Sequence, residues 1–194
     1  MRMTLDGRWA RARTVADLAG LTADWLEGRL PGGHPGGYDR PDEETADLVP
    51  DLVRLNRAGY ATDCSQPGES GPGYDGAHWE QRSAVDGWVE PGEQLDRIVS
   101  AASAAGLLVI QQSHSTGRLR RGPSPLRGVP VTRRAGRDRT WFARRLTDGD
   151  LRRSLRGLHR EAYRALDRAV YLTVVDPAWG RADRLWHVLD KAVR

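Results

Sequence analysis

Apolar positions recur at helical spacing in several stretches of the chain, with short apolar or alternating runs between them. Thr14 is placed to cap a helix running to about Leu30, with Val15, Leu18, Leu21, Trp25 and Leu26 on one side. Pro31-Gly32-Gly33-His34-Pro35-Gly36-Gly37 breaks it and reads as a mobile loop. A second helix starts near Pro41-Asp42-Glu43-Glu44, where acids suit the positive end of a helix dipole, and stops at Gly59. Pro50 inside it marks either a kink or the true start. A strand over Tyr60–Ser65, a polar loop over Gln66–His78 and a strand over Gln81–Val89 follow. Pro91 opens a third helix ending at Gly106, and Leu107–Ile110 is the run of a buried strand. Beyond a loop over Ser115–Gly128, two edge-like strands are expected near Val129–Arg134 and Arg139–Leu146. Thr147 then caps a long helix to Arg168 carrying Leu151, Leu155, Leu158, Ala162 and Leu166. A strand over Tyr171–Val175 and a helix from about Ala182 to Val193 complete the chain.

Helices alternating with strands predict an α/β or α+β layered sandwich, a mixed sheet covered by helices. The expected division is an N-terminal helix and Gly/Pro-rich loop, residues 1–40, and a single α/β domain, residues 41–194. Two helices ending in Arg57-Ala58-Gly59 and Ala104-Ala105-Gly106 reflect ordinary capping chemistry rather than a repeat. Cys64 is the only cysteine, which excludes an intrachain disulfide. No apolar run approaches the roughly 20 residues that span a bilayer. Met1–Trp9 lacks the apolar core of a secretory signal, so a cytoplasmic protein with no membrane partner is expected. The net charge of +4 is uneven, with arginine dense from Arg118 to Arg160 and Lys191 the only lysine. That bias speaks first of a G+C-rich source and only second of phosphate binding.

Three apolar strands end in polar residues: Asp63-Cys64-Ser65-Gln66, Gln111-Gln112-Ser113-His114, and Asp176. If these strands are parallel neighbours, their ends line one crevice, where open sheets place ligands. Cys64 would then be a nucleophile, His114 its base and Asp176 the group orienting the imidazole. The competing reading makes Cys64 a small packed side chain. Asp63, Ser65, Gln66, Gln81, Arg82, Gln111 and Gln112 are the candidate ligand-binding residues. Arg82 could grip a carboxylate or phosphate bidentately, so the expected ligand is a small polar or anionic molecule, nucleotides included. No cofactor is indicated, and the five scattered histidines lack helical ligand spacing, so no metal site is expected. Gly68–Gly76 lacks the Gly-Lys-Ser/Thr ending of a phosphate loop. The alternative is a nucleic-acid-associated protein, with Arg118, Arg120, Arg121, Arg133 and Arg134 neutralising phosphates and Trp141 stacking on bases.

The runs Asp42-Glu43-Glu44-Thr45, Leu55-Asn56-Arg57-Ala58-Gly59-Tyr60, Thr62-Asp63-Cys64-Ser65-Gln66-Pro67-Gly68 and Gln81-Arg82-Ser83-Ala84-Val85-Asp86-Gly87 stand together with Trp25-Leu26-Glu27-Gly28. Over about the first 110 residues this combination resembles a family of actinobacterial proteins with no assigned activity. The resemblance implies an actinomycete, or one of its mobile elements, as the source. It also marks Thr62–Gly68 and Gln81–Arg82 as the place for a site.

Overall fold

In a computed structural model of the protein the described residues are 5–73, 75–113, 119–121, 128–144, 151–152 and 154–194. Thr14 and Asp17 close a capping box that starts α1 (Val15–Leu26). The segment after it, expected to be mobile, is instead pinned. Gly33 bridges to Leu5, and the His34 N–H donates to the Tyr38 carbonyl at 2.7 Å. A 3-10 turn over Glu43–Leu48 leads into α2 (Val49–Arg57), so Pro50 marks the helix start, where its missing N–H costs nothing.

β1 (Ala61–Gln66) is followed by a hairpin of β2 (Ser70–Pro72), inside the expected loop, and β3 (His78–Gln81), which starts at the loop's end. The strand expected over Gln81–Val89 begins only at Ala84. β3 ends at Gln81 and β4 (Ala84–Val89) joins a different sheet. Arg82 and Ser83 make the switch, each tied to one sheet. The Arg82 N–H donates to Val131 at 2.8 Å, and the Ser83 carbonyl accepts from Asp176 N–H at 2.9 Å. Next come α3 (Glu93–Ala104), β5 (Leu108–Ser113), β6 (Leu119–Arg121), β7 (Val129–Arg134) and β8 (Arg137–Phe142). The long helix expected to reach Arg168 is interrupted. Gly157 takes φ +75° and His159 caps a separate α4 (Arg160–Arg168), its Nδ1 accepting from Glu161 N–H. Leu151, Leu155 and Leu158 are buried all the same, which is why their spacing imitates one helix. Thr147 lies outside the described residues. β9 (Val170–Val175) and α5 (Arg184–Val193) end the chain.

The architecture is layered α+β, with one sheet ordered β1-β4-β9-β5-β6 and another β2-β3-β7-β8. The sheets are antiparallel rather than mixed. The reason is β9. β4 and β5, joined by α3, run the same way, but β9 lies between them and pairs with both. Side chains alternate across this sheet. Val85, Leu172 and Val174 share a core with α3 and α5. On the other face, Trp88 and Tyr171 pack with Trp9 and α1, while Ala84, Ile110 and Val175 pack against Val129, Val131 and Phe142 of the second sheet. Two covers thus share one face, and a cavity opens where they meet.

Asp63 is an extra residue in β1. Thr62 faces Gly87 and Cys64 faces Asp86, so the ladder bulges there. Gly87 permits it, because a Cβ at that position would meet the Ala61 carbonyl and come within 2.7 Å of Thr62 Cα. Backbone cannot yield as a side chain can, so Gly87→Ala is expected to lower unfolding free energy by about 1–3 kcal/mol in urea melts. Gly20→Ala, in the interior of α1 with nothing within 4 Å of the added methyl, should instead gain about 0.4–1 kcal/mol. Equal midpoints for the two variants would refute the steric account.

Candidate active site

The bulge brings three functional groups together. One ligand atom each of Asp63, Cys64 and Asp86 lies within 4.8 Å of the other two. The Cys64 N–H donates to Asp86 Oδ1 at 3.2 Å, and the Tyr171 hydroxyl donates to Asp63 Oδ2 at 3.2 Å. β1 is anchored beside them by Asn56 of α2, whose amide donates to the Thr62 hydroxyl at 2.7 Å and to the Leu52 carbonyl at 2.8 Å. Thr173, the cross-strand partner of Asp86, is fully buried with a hydroxyl that has no partner.

Asp63 and Cys64 form the floor of a cavity of about 210 Å³, and Asp86 and Tyr171 back them without lining it. Trp25 of α1, His34, Tyr38 and Phe142 of β8 wall it. Burial pushes the Asp63 carboxyl up to about 6, against the opposing Tyr171 hydrogen bond. Burial and then the Asp63 charge raise Asp86 well above the ordinary carboxylate range. The Cys64 thiol is also raised well above its ordinary value, by crowding first and then by Asp63 and Asp86. It meets solvent through the pocket mouth while protein surrounds its other sides. No cation among the described residues offsets the three.

His34 is sandwiched by Trp9 and Trp25, each ring centroid 5.0 Å from its own. Its Nδ1 accepts from Gly36 N–H at 3.0 Å, and burial lowers its pKa to about 4. The usual order is therefore inverted: Asp63 still holds a proton where the imidazole has already lost its own. Such pairs of displaced values mark groups suited to moving or holding a proton.

Of the expected site residues, Asp63, Cys64, Ser65 and Gln66 line this cavity, and Gln81 lines its outward continuation past Gln66. Arg82 is elsewhere. Its guanidinium lies 4.3 Å from the Trp179 ring centroid, as does that of Arg133, and it donates to the Pro130 carbonyl at 3.1 Å. Gln111 and Gln112 sit on β5, with β9 and β4 between them and β1, and Gln112 donates to the Ala143 carbonyl at 2.7 Å. His114 lies outside the described residues. Ser113 before it pairs with Val170, at the end of β9 opposite Asp176. The buried Asp176 carboxylate is held by Arg181, at 2.7 Å from Nε, and by Ala178 N–H at 2.9 Å. The described residues therefore do not gather the expected triad.

For the nucleic-acid surface, Arg133 is paired with Glu80 at 2.5 Å, Arg134 is paired with Asp75, and Trp141 is half-buried on β8. Arg118 and the side chains of Arg120 and Arg121 lie outside the described residues. The sequence reading missed Asp86, His34 and Tyr171. Asp86 had a signal, a carboxylate inside the otherwise apolar Ala84–Val89. His34 was hidden by its Gly/Pro-rich surroundings.

A family model described as Domain of unknown function (DUF6919) matches residues 4–194, well past the segment that carried the resemblance. A search of curated proteins finds no match.

The Asp63 shift has a sign that melts can read. Its folded pKa is raised, so its favourable contribution is complete below its ordinary 3.8 and lost as pH rises through about 6. His34 works oppositely, its contribution complete above 6.5 and lost as pH falls through about 4. Asp63→Asn therefore gains stability over the native protein only as pH rises from 4 to 7, by on the order of 1–3 kcal/mol. A difference that shrinks over that range contradicts the assignment. Iodoacetamide should modify native Cys64 slowly at neutral pH despite its exposure, and faster in Asp63→Asn. Rapid labelling of the native thiol below pH 7 would contradict it.

Proposed function

The chain belongs to the DUF6919 family, a domain of unknown function, and from its pocket floor we propose that it binds a small polar molecule through a protonated amine or similar cationic group. The observation that carries this reading is the close, uncompensated set Asp63, Cys64 and Asp86. Burying ionised carboxylates without a partner is costly, and a bound cation removes that cost. Aromatic walls add a favourable quadrupole for the same charge.

Of the expected small polar or anionic ligands, the polar class suits this floor, whereas an anion would face the Asp63 carboxylate. Cysteine nucleophilic catalysis is the weaker reading, since a thiolate beside Asp63 and Asp86 is disfavoured. Within the proposal the protein works in the cytoplasm of an actinobacterium. Its single cysteine and its use of arginine for all but one basic residue support that setting.

Calorimetric titration with primary amines, amidines, carboxylates and phosphate tests the reading. Amines or amidines should bind, more tightly at pH 8 than at pH 5, because Asp63 must lose its proton to receive them. Asp63→Asn should weaken them at least about tenfold, the loss of about 1.4 kcal/mol or more expected for a buried charge pair. Preference for carboxylates or phosphate, or amine affinity that rises toward pH 5, would exclude it.

A further inference from the structure

We infer that the ligand of this pocket is an aliphatic di- or triamine, with one ammonium on Asp63 and a second held by the acid-rich turn Asp42-Glu43-Glu44. This rests on the cation-binding reading above and deepens it.

The cavity does not end at its mouth. Through Ser65 and Gln66 it runs into a groove of about 560 Å³ beside the turn, and through Gln66 and Pro67 into a further 510 Å³ bordered by Glu44, Glu69 and Gln81. β1 is the rail for this path. Asp63 to Gln66 spans about 10 Å of extended chain, so an inner and an outer charge must be joined by a linear spacer.

The charge along the groove runs against the rest of the protein. The chain carries 30 basic residues and a net charge of +4. Yet the described charged residues lining the three connected cavities are Asp42, Glu43, Glu44, Asp63 and Glu69, with Arg40 as the single cation. None of these acids has an ion-pair partner among the described residues; Glu44 takes only the Gln81 amide, at 3.3 Å. Elsewhere arginine is spent on acids freely. Arg57 holds both Asp24 and Glu27, Arg133 holds Glu80, and Arg181 holds Asp176.

A second observation is independent of charge. Thr132, only 5% exposed, lines the outer groove, and its hydroxyl has no hydrogen-bond partner among the described residues. The side-chain oxygens of Gln66 and Gln81 along the same path are also shielded and unpartnered. Buried polar groups are rarely left so, and a wall of acceptors calls for a ligand rich in N–H donors. An ammonium supplies three each, and methylenes between them suit the apolar stretch beside Trp25 and Phe142.

The test is calorimetric titration of the full chain with n-butylamine, 1,4-diaminobutane and spermidine at pH 8. The diamine or triamine should bind at least about tenfold tighter than butylamine, with affinity falling steeply as salt is added. The double substitution Glu43→Gln, Glu44→Gln should abolish that advantage while leaving butylamine affinity within about twofold, and thermal melts should confirm an intact fold. If butylamine binds as well as the polyamines, the inference fails and the cation-binding reading stands. If none of the three binds, both fail. Tighter binding of a lysine-rich peptide than of spermidine, or of Zn²⁺ with no response to amines, also overturns the polyamine assignment.

Discussion

The insertion of β9 between β4 and β5 is the constraint from which the rest of the molecule follows. Every residue of β9 is buried, and it pairs along its full length with a neighbour on each side. Because it enters antiparallel to both, it makes the sheet antiparallel and sends the C-terminal end of β5 away from that of β1. It also sets Tyr171 against Asp63 of the pocket floor and Asp176 at its own opposite end, where Arg181 secures the exit from the strand. These pairings join residues near 85 and 110 to residues near 172, and such distant closures are slow to form. The sheet can be complete only when nearly the whole chain has been placed.

Against that rigid centre the pocket floor is costly. Asp63, Asp86 and Cys64 crowd one another beneath protein cover, and the Thr173 hydroxyl is unpartnered beside them. A hydrophobic trio would pack there without penalty. Where a protein breaks its own rules of burial in one place, function is the usual reason. The mechanical origin is modest: one extra residue in β1, tolerated because Gly87 lies opposite. That bulge turns an ordinary edge strand into the wall of a pocket.

Much of this was legible in the chain and some was not, for identifiable reasons. α1, α3 and α5 announced themselves because their apolar residues recur with a helical period, and β5 and β9 because they are short continuous apolar runs. The switch at Arg82-Ser83 left no such mark, since strand lies on both sides of it and only the hydrogen-bond partners differ. Likewise Leu151, Leu155 and Leu158 keep helical spacing while burying themselves from a segment that Gly157 interrupts. At the site, polar residues closing an apolar strand pointed to Asp63–Gln66. The convergence of Gln111, Gln112 and Asp176 with them depended on strand order, which no local pattern encodes. Counting histidines by helical spacing was blind to a set of two carboxylates and a thiol assembled across β1 and β4.

The arginines make the same point at larger scale. In the sequence they are a density of positive charge, and density alone suggests phosphate. In the structure many are occupied: Arg133 and Arg134 by Glu80 and Asp75, Arg57 by Asp24 and Glu27, Arg54 by Asp51 and Asp190. Exposed pairs of this kind add little stability, but they do neutralise the surface that carries them. What then carries information is where pairing stops. Along the groove from Asp63 to Glu69 the acids face open space in a protein with cations to spare, so the field there is negative although the molecule is positive. A chain that could have closed this groove with one more arginine, and has Arg40 within it unpaired to any of these acids among the described residues, leaves the groove without its own countercharge, which is the opening the proposed ligand would fill.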